Sequence, residues 1–201
     1  MPTADFFARR GLFVIERFFD PECCRIACAE IRSAASTPGM VERQGDYMVD
    51  ETTLKAQRVK VSSMTYLHIG QSLADLRPKL ASHFALELTR CESPAFAVYR
   101  PGDFVSPHID VASSPTSPEH LRARKVAVVL FLNSESEEPT PDSYGPGGLT
   151  FFGLIDEAPW RSMGFQVAGQ AGLLIGFPAG MMHSVTPVTH GERYTVVTRF
   201  A

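Results

Sequence analysis

Pro94-Ala95-Phe96-Ala97-Val98-Tyr99-Arg100-Pro101-Gly102-Asp103-Phe104-Val105-Ser106-Pro107-His108-Ile109-Asp110 reads as two short strands and a turn. Apolar runs at 95–99 and 104–109 flank a Pro-Gly-Asp turn, and the second run ends on a histidine and a carboxylate. The same texture continues to the C-terminus, with runs at 126–132, 149–152, 164–168, 172–177, 181–185 and 193–200 separated by Gly, Pro, Ser and Asn. Eight such runs in about a hundred residues predict an antiparallel sandwich or barrel of jelly-roll type. The expected fold class is mainly β with N-terminal helices.

Upstream the pattern changes. Asp20-Pro21 ahead of 22–35 predicts a capped helix with Cys24, Ala27, Cys28 and Ile31 on one face, after a strand at 11–15. A second helical stretch is expected to open at Ser72 and to carry Leu73, Leu76, Leu80, Phe84 and Leu88, with Pro78 restarting or kinking it. These helices would buttress one face of the barrel. Segment 39–57, with Tyr47 and Met48, has no clear period and is a candidate lid. Segment 134–148, rich in Ser, Pro and acids (Glu135, Glu137, Glu138, Asp142), is expected to be a long exposed loop, either simply solvated or an acidic rim attracting a cationic substrate. Trp160, after Pro159, is expected to pack. No linker or repeat divides the 201 residues, so one domain is expected, with 1–93 as support and possible lid and 94–201 as the core.

Hydrophobic residues make up 44%, charged residues 20%, and the mean hydropathy is −0.03, which excludes disordered, collagenous and fibrous chains. A net charge of −3 argues against a protein whose main task is to bind a polyanion. Met1-Pro2-Thr3-Ala4-Asp5 lacks the basic start of a signal peptide and no 18-residue apolar run follows, so neither export nor a membrane span is expected and the cytoplasm is the default compartment. Cys23, Cys24 and Cys28 crowd one segment while Cys91 stands alone, a spacing read as reduced thiols.

His108 and Asp110, two apart at a strand end, project to the same face. His183 follows 75 residues later at the start of another short strand, within the apolar surroundings of Met181, Met182 and Val185. Two imidazoles and one carboxylate on neighbouring strands match the facial triad of Fe(II) oxygenases, with mixed-ligand zinc sites as the competing use. Arg193, on the last strand run, is costly among apolar neighbours unless paired, and its planar fork suits a buried carboxylate. Arg199 shares its face but lies about 20 Å away at ~3.3 Å per residue. His68, His83, His120 and His190 lack carboxylates at ligand spacing and are read as surface or core-edge imidazoles.

Taken in order, 99–104, His108-Ile109-Asp110, Leu130-Phe131-Leu132-Asn133, 147–152 and the segments 183–188 and 191–194 resemble the iron(II)- and 2-oxoglutarate-dependent dioxygenases of the prolyl 4-hydroxylase-like type. The opening 13–24 is similar to that family's N-terminal strand and helix, so the resemblance spans most of the chain. It implies a double-stranded β-helix (jelly-roll) core and a single oxygenase domain. It implies His108, Asp110 and His183 as ligands to Fe(II), Arg193 on the distal carboxylate of 2-oxoglutarate, and Tyr99 lining the pocket. Some relatives carry a tyrosine where this chain has Phe131, so another hydroxyl, from Thr195 or Thr150, is expected to assist Arg193. The implied reaction uses O2 and 2-oxoglutarate, releases succinate and CO2, and hydroxylates a C–H bond of a peptide, protein or small amino-acid substrate, with ascorbate as a possible support. AlkB-like nucleic-acid dealkylation, suggested by the Arg193 and Arg199 pair, and a cupin-like metal protein without oxygenase activity are the alternatives. The acidic balance disfavours a nucleic-acid partner.

Overall fold

The computed structural model describes residues 3–201. Its centre is a pair of antiparallel sheets enclosing a common core. The larger sheet has seven strands in the order Phe13–Ile15, Leu174–Pro178, Val126–Phe131, Arg193–Phe200, Ala95–Tyr99, Gln57–Val59 and Ser36–Pro38. The smaller has five, in the order Gly164–Gln166, Leu149–Phe152, His183–Val185, Phe104–His108 and Leu54–Lys55. The jelly-roll architecture expected from the eight apolar runs is present, and the N-terminal segment adds three strands to the larger sheet, one at one edge and two at the other, and one edge strand to the smaller.

Alternation of side chains along a strand gives the larger sheet two different faces. Val126, Val128, Leu130, Val196 and Phe200 point outward and pack against Cys24, Ile31, Leu73 and Leu80 of the helical layer. Ala127, Val129, Phe131, Ile175 and Phe177 point inward and meet Leu149 and Phe151 of the smaller sheet. The helices therefore buttress one face, as anticipated.

The Pro21–Ser33 helix begins as its sequence predicts: Asp20 Oδ1 accepts a hydrogen bond from the Cys23 N–H at 2.8 Å, with Pro21 in the first turn. The second helical stretch starts at Ser63 rather than Ser72, because Ser62 caps it by accepting from the Thr65 N–H at 3.2 Å. Pro78 falls in the first turn of a separate helix, Arg77–Phe84, where a missing N–H costs nothing. A helix at Ala4–Arg9, too short to show a period, sets Phe7 against Phe151. Trp160 is 44% exposed and does not pack into the core. Segment 134–148 is only partly an exposed loop, since Ser143 and Tyr144 are buried. Among the described residues no helix is long and apolar enough to cross a membrane.

Candidate functional site

His108 closes the Phe104–His108 strand and lies directly opposite His183 in the smaller sheet, with the two rings 4.2 Å apart at their centroids. Asp110 follows two residues later, its N–H donating to the Ala179 carbonyl at 2.8 Å, which ties it to the turn just ahead of His183. One ligand atom from each of the three lies within 4.8 Å of the others. The sheet register and one loop hydrogen bond thus assemble residues that are 75 positions apart in the chain.

Each imidazole is aimed in the same way. His108 Nδ1 donates to the Ser106 carbonyl and His183 Nδ1 to the Met181 carbonyl, both at 2.9 Å. A carbonyl can only accept, so Nδ1 carries the proton and the Nε2 lone pair is left for a metal. Burial pulls the His183 pKa down to about 4, with His108 adding to the fall and Asp110 opposing it. Burial alone would raise Asp110, but the Arg199 guanidinium, followed by the two imidazoles, holds it well below the usual carboxylate range. Neutral His183 and ionised Asp110 are the states that metal binding requires. Arg199 donates to Asp110 Oδ1 through Nη2 at 2.7 Å and Nε at 3.2 Å, while Oδ2 faces His183 Nε2 at 3.7 Å. One carboxylate oxygen is thereby occupied and the other faces the imidazoles. Two imidazole Nε2 atoms and one such carboxylate oxygen are a donor set that fits Fe(II).

The triad lines a cavity of about 320 Å³, and Arg193 belongs to the same lining. Arg193 is 1% exposed and lies between the rings of Tyr99, 4.8 Å away, and Phe131, 5.1 Å away. Its Nε and Nη1 have no hydrogen-bond partner, nor does Oγ1 of Thr195, two residues on and facing the same way. An unpaired buried guanidinium is expensive. A planar fork of donors beside an unpaired hydroxyl is suited to a carboxylate. Thr150 does not serve here: its hydroxyl donates to the Gly148 carbonyl. Sequence reasoning missed Tyr144, which is fully buried with an unpaired hydroxyl close to Arg193, and whose pKa burial raises to about 12. Gly169 makes room for it, because a Cβ there would collide with the Tyr144 hydroxyl and the Phe131 ring.

The mouth is formed partly by the Val41–Arg43 and Asp46–Met48 hairpin, of which Val41, Glu42 and Arg43 line the cavity. Gln44 and Gly45 both have positive φ, the tight turn such a hairpin needs. Ser117 donates to Glu42 at 3.1 Å, and Tyr47 meets His120 Nε2 at 3.3 Å, so the hairpin is moored to the segment beyond Asp110. None of the acids of segment 134–148 is among the described residues that line the cavity, and Tyr144 is the part of that segment that reaches the neighbourhood of Arg193.

A family model for the 2OG-Fe(II) oxygenase superfamily matches residues 94–200. The chain is 31% identical over 131 residues to a PKHD-type hydroxylase of Xylella fastidiosa (strain M23), covering 62% of this chain and 51% of that protein. It is 28% identical over 138 residues to one from Klebsiella pneumoniae (strain 342), covering 68% and 56%. The chain therefore spans about half the length of the curated relatives it matches. In fold it is similar to a Pseudomonas putida prolyl-4-hydroxylase, with TM-score 0.70, 24% identity, and 98% and 96% of the two chains covered. A Trichoplax adhaerens prolyl hydroxylase solved with a hypoxia inducible factor peptide fragment gives TM-score 0.70, 16% identity, and 98% and 86% coverage. Members of the matched family use Fe(II), 2-oxoglutarate and O2, and the paired sheets are their double-stranded β-helix. The triad, the cavity and the family match agree: the chain belongs to the 2OG-Fe(II) oxygenase superfamily.

Proposed function

We propose that this chain is an Fe(II)- and 2-oxoglutarate-dependent hydroxylase acting on a prolyl or other amino-acid substrate, free or within a peptide. The observation that carries the proposal is the pairing of a triad with two freed Nε2 atoms and an unpaired, fully buried Arg193 across one cavity. When bound, Fe(II), 2-oxoglutarate and O2 supply the oxidising chemistry, in which 2-oxoglutarate, O2 and a substrate C–H give succinate, CO2 and a hydroxylated product.

On this proposal the chain acts as one oxygenase domain over 1–201. His108, Asp110 and His183 hold the metal, and Arg199 fixes the Asp110 carboxylate so that one oxygen remains free. Arg193 grips the distal carboxylate of 2-oxoglutarate, with the Thr195 and Tyr144 hydroxyls as additional donors and the Tyr99 and Phe131 rings holding the guanidinium flat. Phe177, whose ring is 4.7 Å from that of His183, keeps water away behind the metal. The 41–48 hairpin covers the substrate side. Arg199, committed to Asp110, is not available as the separate substrate contact that nucleic-acid dealkylation would require.

The test is an anaerobic titration of the purified chain with Fe(II) and 2-oxoglutarate, followed by oxygen and a screen of prolyl peptides and free amino acids for succinate release. His183→Ala and Asp110→Ala should bring turnover to background, and undiminished succinate release in either variant would refute the assignment.

A further inference from the structure

Among the described residues five arginines line the cavity: Arg43, Arg58, Arg124, Arg193 and Arg199. Three are neutralised by the protein. Arg43 pairs with Asp50 at 3.2 Å, Arg124 holds Glu92 through two hydrogen bonds of 2.7 Å, and Arg199 holds Asp110. Two are not, namely Arg193 and Arg58.

Arg193 faces the place of the cosubstrate's distal carboxylate, and the other carboxylate of that molecule belongs at the metal. Arg58 is therefore a second unmatched cation with no anion assigned to it. It lies on the Gln57–Val59 strand, in register with Thr37 on one side and with Ala97 on the other, and Ala97 is in turn in register with Thr195. The small Ala97 leaves the route from Arg58 into the cavity clear. Its Nη1 is shut off from solvent and forms no hydrogen bond. No acid forms an ion pair with Arg58: Asp110 and Glu92 are engaged as above, and Glu42, which also lines the cavity, turns its two oxygens to the Ser117 hydroxyl and the Gly45 N–H. Burying the Nη1 end of a guanidinium without a partner is costly, and a fixed fork of donors is suited to a carboxylate.

We infer that Arg58 is the anchor for a carboxylate of the primary substrate, so that the substrate class is an acid: a free amino or organic acid, or a peptide whose acidic side chain or C-terminus reaches the cavity. This deepens the hydroxylase proposal and rests on it. It also disfavours the alternative of an acidic 134–148 rim attracting a cationic substrate, since none of that loop's acids lines the cavity.

The experiment is anaerobic calorimetry on the full chain loaded with Fe(II) and 2-oxoglutarate. The probes are L-proline, L-leucine and L-glutamate, each against its carboxamide (both carboxyls amidated for glutamate), and an N-acetylated prolyl dipeptide with a free or amidated C-terminus. At least one acid should bind about tenfold to a hundredfold more tightly than its amide, the range of a charge-assisted pair. Preference among free amino acids points to a small-molecule substrate, and preference only in the dipeptide pair points to a peptide. In Arg58→Gln the acid and amide should bind alike, and Arg58→Lys should recover part of the difference. The affinity for 2-oxoglutarate should stay at its wild-type value and the melting temperature of Arg58→Gln should be no lower than wild type, since Arg58 contacts neither a protein acid nor the distal carboxylate. The inference is overturned if no acid outbinds its amide, if the preference survives Arg58→Gln, or if Arg58→Gln weakens 2-oxoglutarate instead. Succinate release in the earlier screen fails only if the hydroxylase proposal itself is wrong, so the two failures are separable.

Discussion

The Arg193–Phe200 strand serves two masters. Its outward residues Tyr194, Val196 and Phe200 belong to the core shared with the helices, and Thr198 donates to the Glu92 carbonyl at 2.7 Å. Its inward residues are Arg193, Thr195, Val197 and Arg199, of which Arg193 and Thr195 keep unpaired polar atoms. The same eight residues thus bury a satisfied apolar face and an unsatisfied polar one. Stability is concentrated on the first face and ligand binding on the second, as expected where function is built at some cost to the fold.

Substitutions on the two faces should separate these properties. Phe200→Ala should cost about 3–5 kcal/mol of unfolding free energy, the usual range for removing a core aromatic, while the remaining folded protein keeps its affinity for 2-oxoglutarate. Chemical denaturation and ligand titration read the two quantities. Arg193→Met should do the opposite. Loss of a buried charge partner costs about 2–5 kcal/mol of binding, roughly 30-fold or more in 2-oxoglutarate affinity, whereas the ligand-free chain should be as stable as wild type or more so. If Arg193→Met unfolded as readily as Phe200→Ala, the division between the faces would not hold.

Acid sharpens the same contrast. His183 is held neutral with a pKa of about 4, below its ordinary 6.5, so the unfolded chain takes up a proton that the folded chain refuses. Stability of the metal-free protein should fall as pH drops from about 6.5 to about 4, by on the order of 3 kcal/mol at ~1.4 kcal/mol per unit. Asp110, whose pKa is lowered, contributes stability above the normal carboxylate value and loses it at still lower pH. Urea midpoints at pH 7 and pH 4.5, compared with those of His183→Gln, measure the histidine's share. The smallest effect is expected at Arg199, which orients a ligand rather than binding metal: Arg199→Ala should weaken Fe(II) by about 10- to 100-fold, read by metal titration.

Much of the barrel was legible because alternation and turn chemistry are local signals. Residues 95–99, 149–152 and 193–200 form strands with the bounds expected, and the triad was visible because His108 and Asp110 share one strand end. The second helix starts well before Ser72 because Ser62 caps it, whereas the apolar spacing that marks it in the sequence begins only at Leu73. Arg58 and Tyr144 were missed for a deeper reason. Arg58 lies just beyond the aperiodic segment 39–57 and Tyr144 within the expected loop 134–148, and what marks them is an unpaired atom, a property that exists only once the neighbours have been brought together. The choice between Thr195 and Thr150 was open for the same reason, because both sit on strands and only the folded sheet shows which hydroxyl is already spent.

The backbone carbonyls that aim the two histidines lie two residues upstream in the chain, in Ser106-Pro107-His108 and Met181-Met182-His183. The middle residue of each triplet is exposed and takes no part in that aim. Each triplet is consequently a self-contained mount: a replacement of the exposed Met182 can alter the protein's outer surface without turning the imidazole beside it. Surface chemistry and the aim of the imidazole can therefore drift independently at neighbouring positions, so that the seat stays fixed while its surroundings diversify.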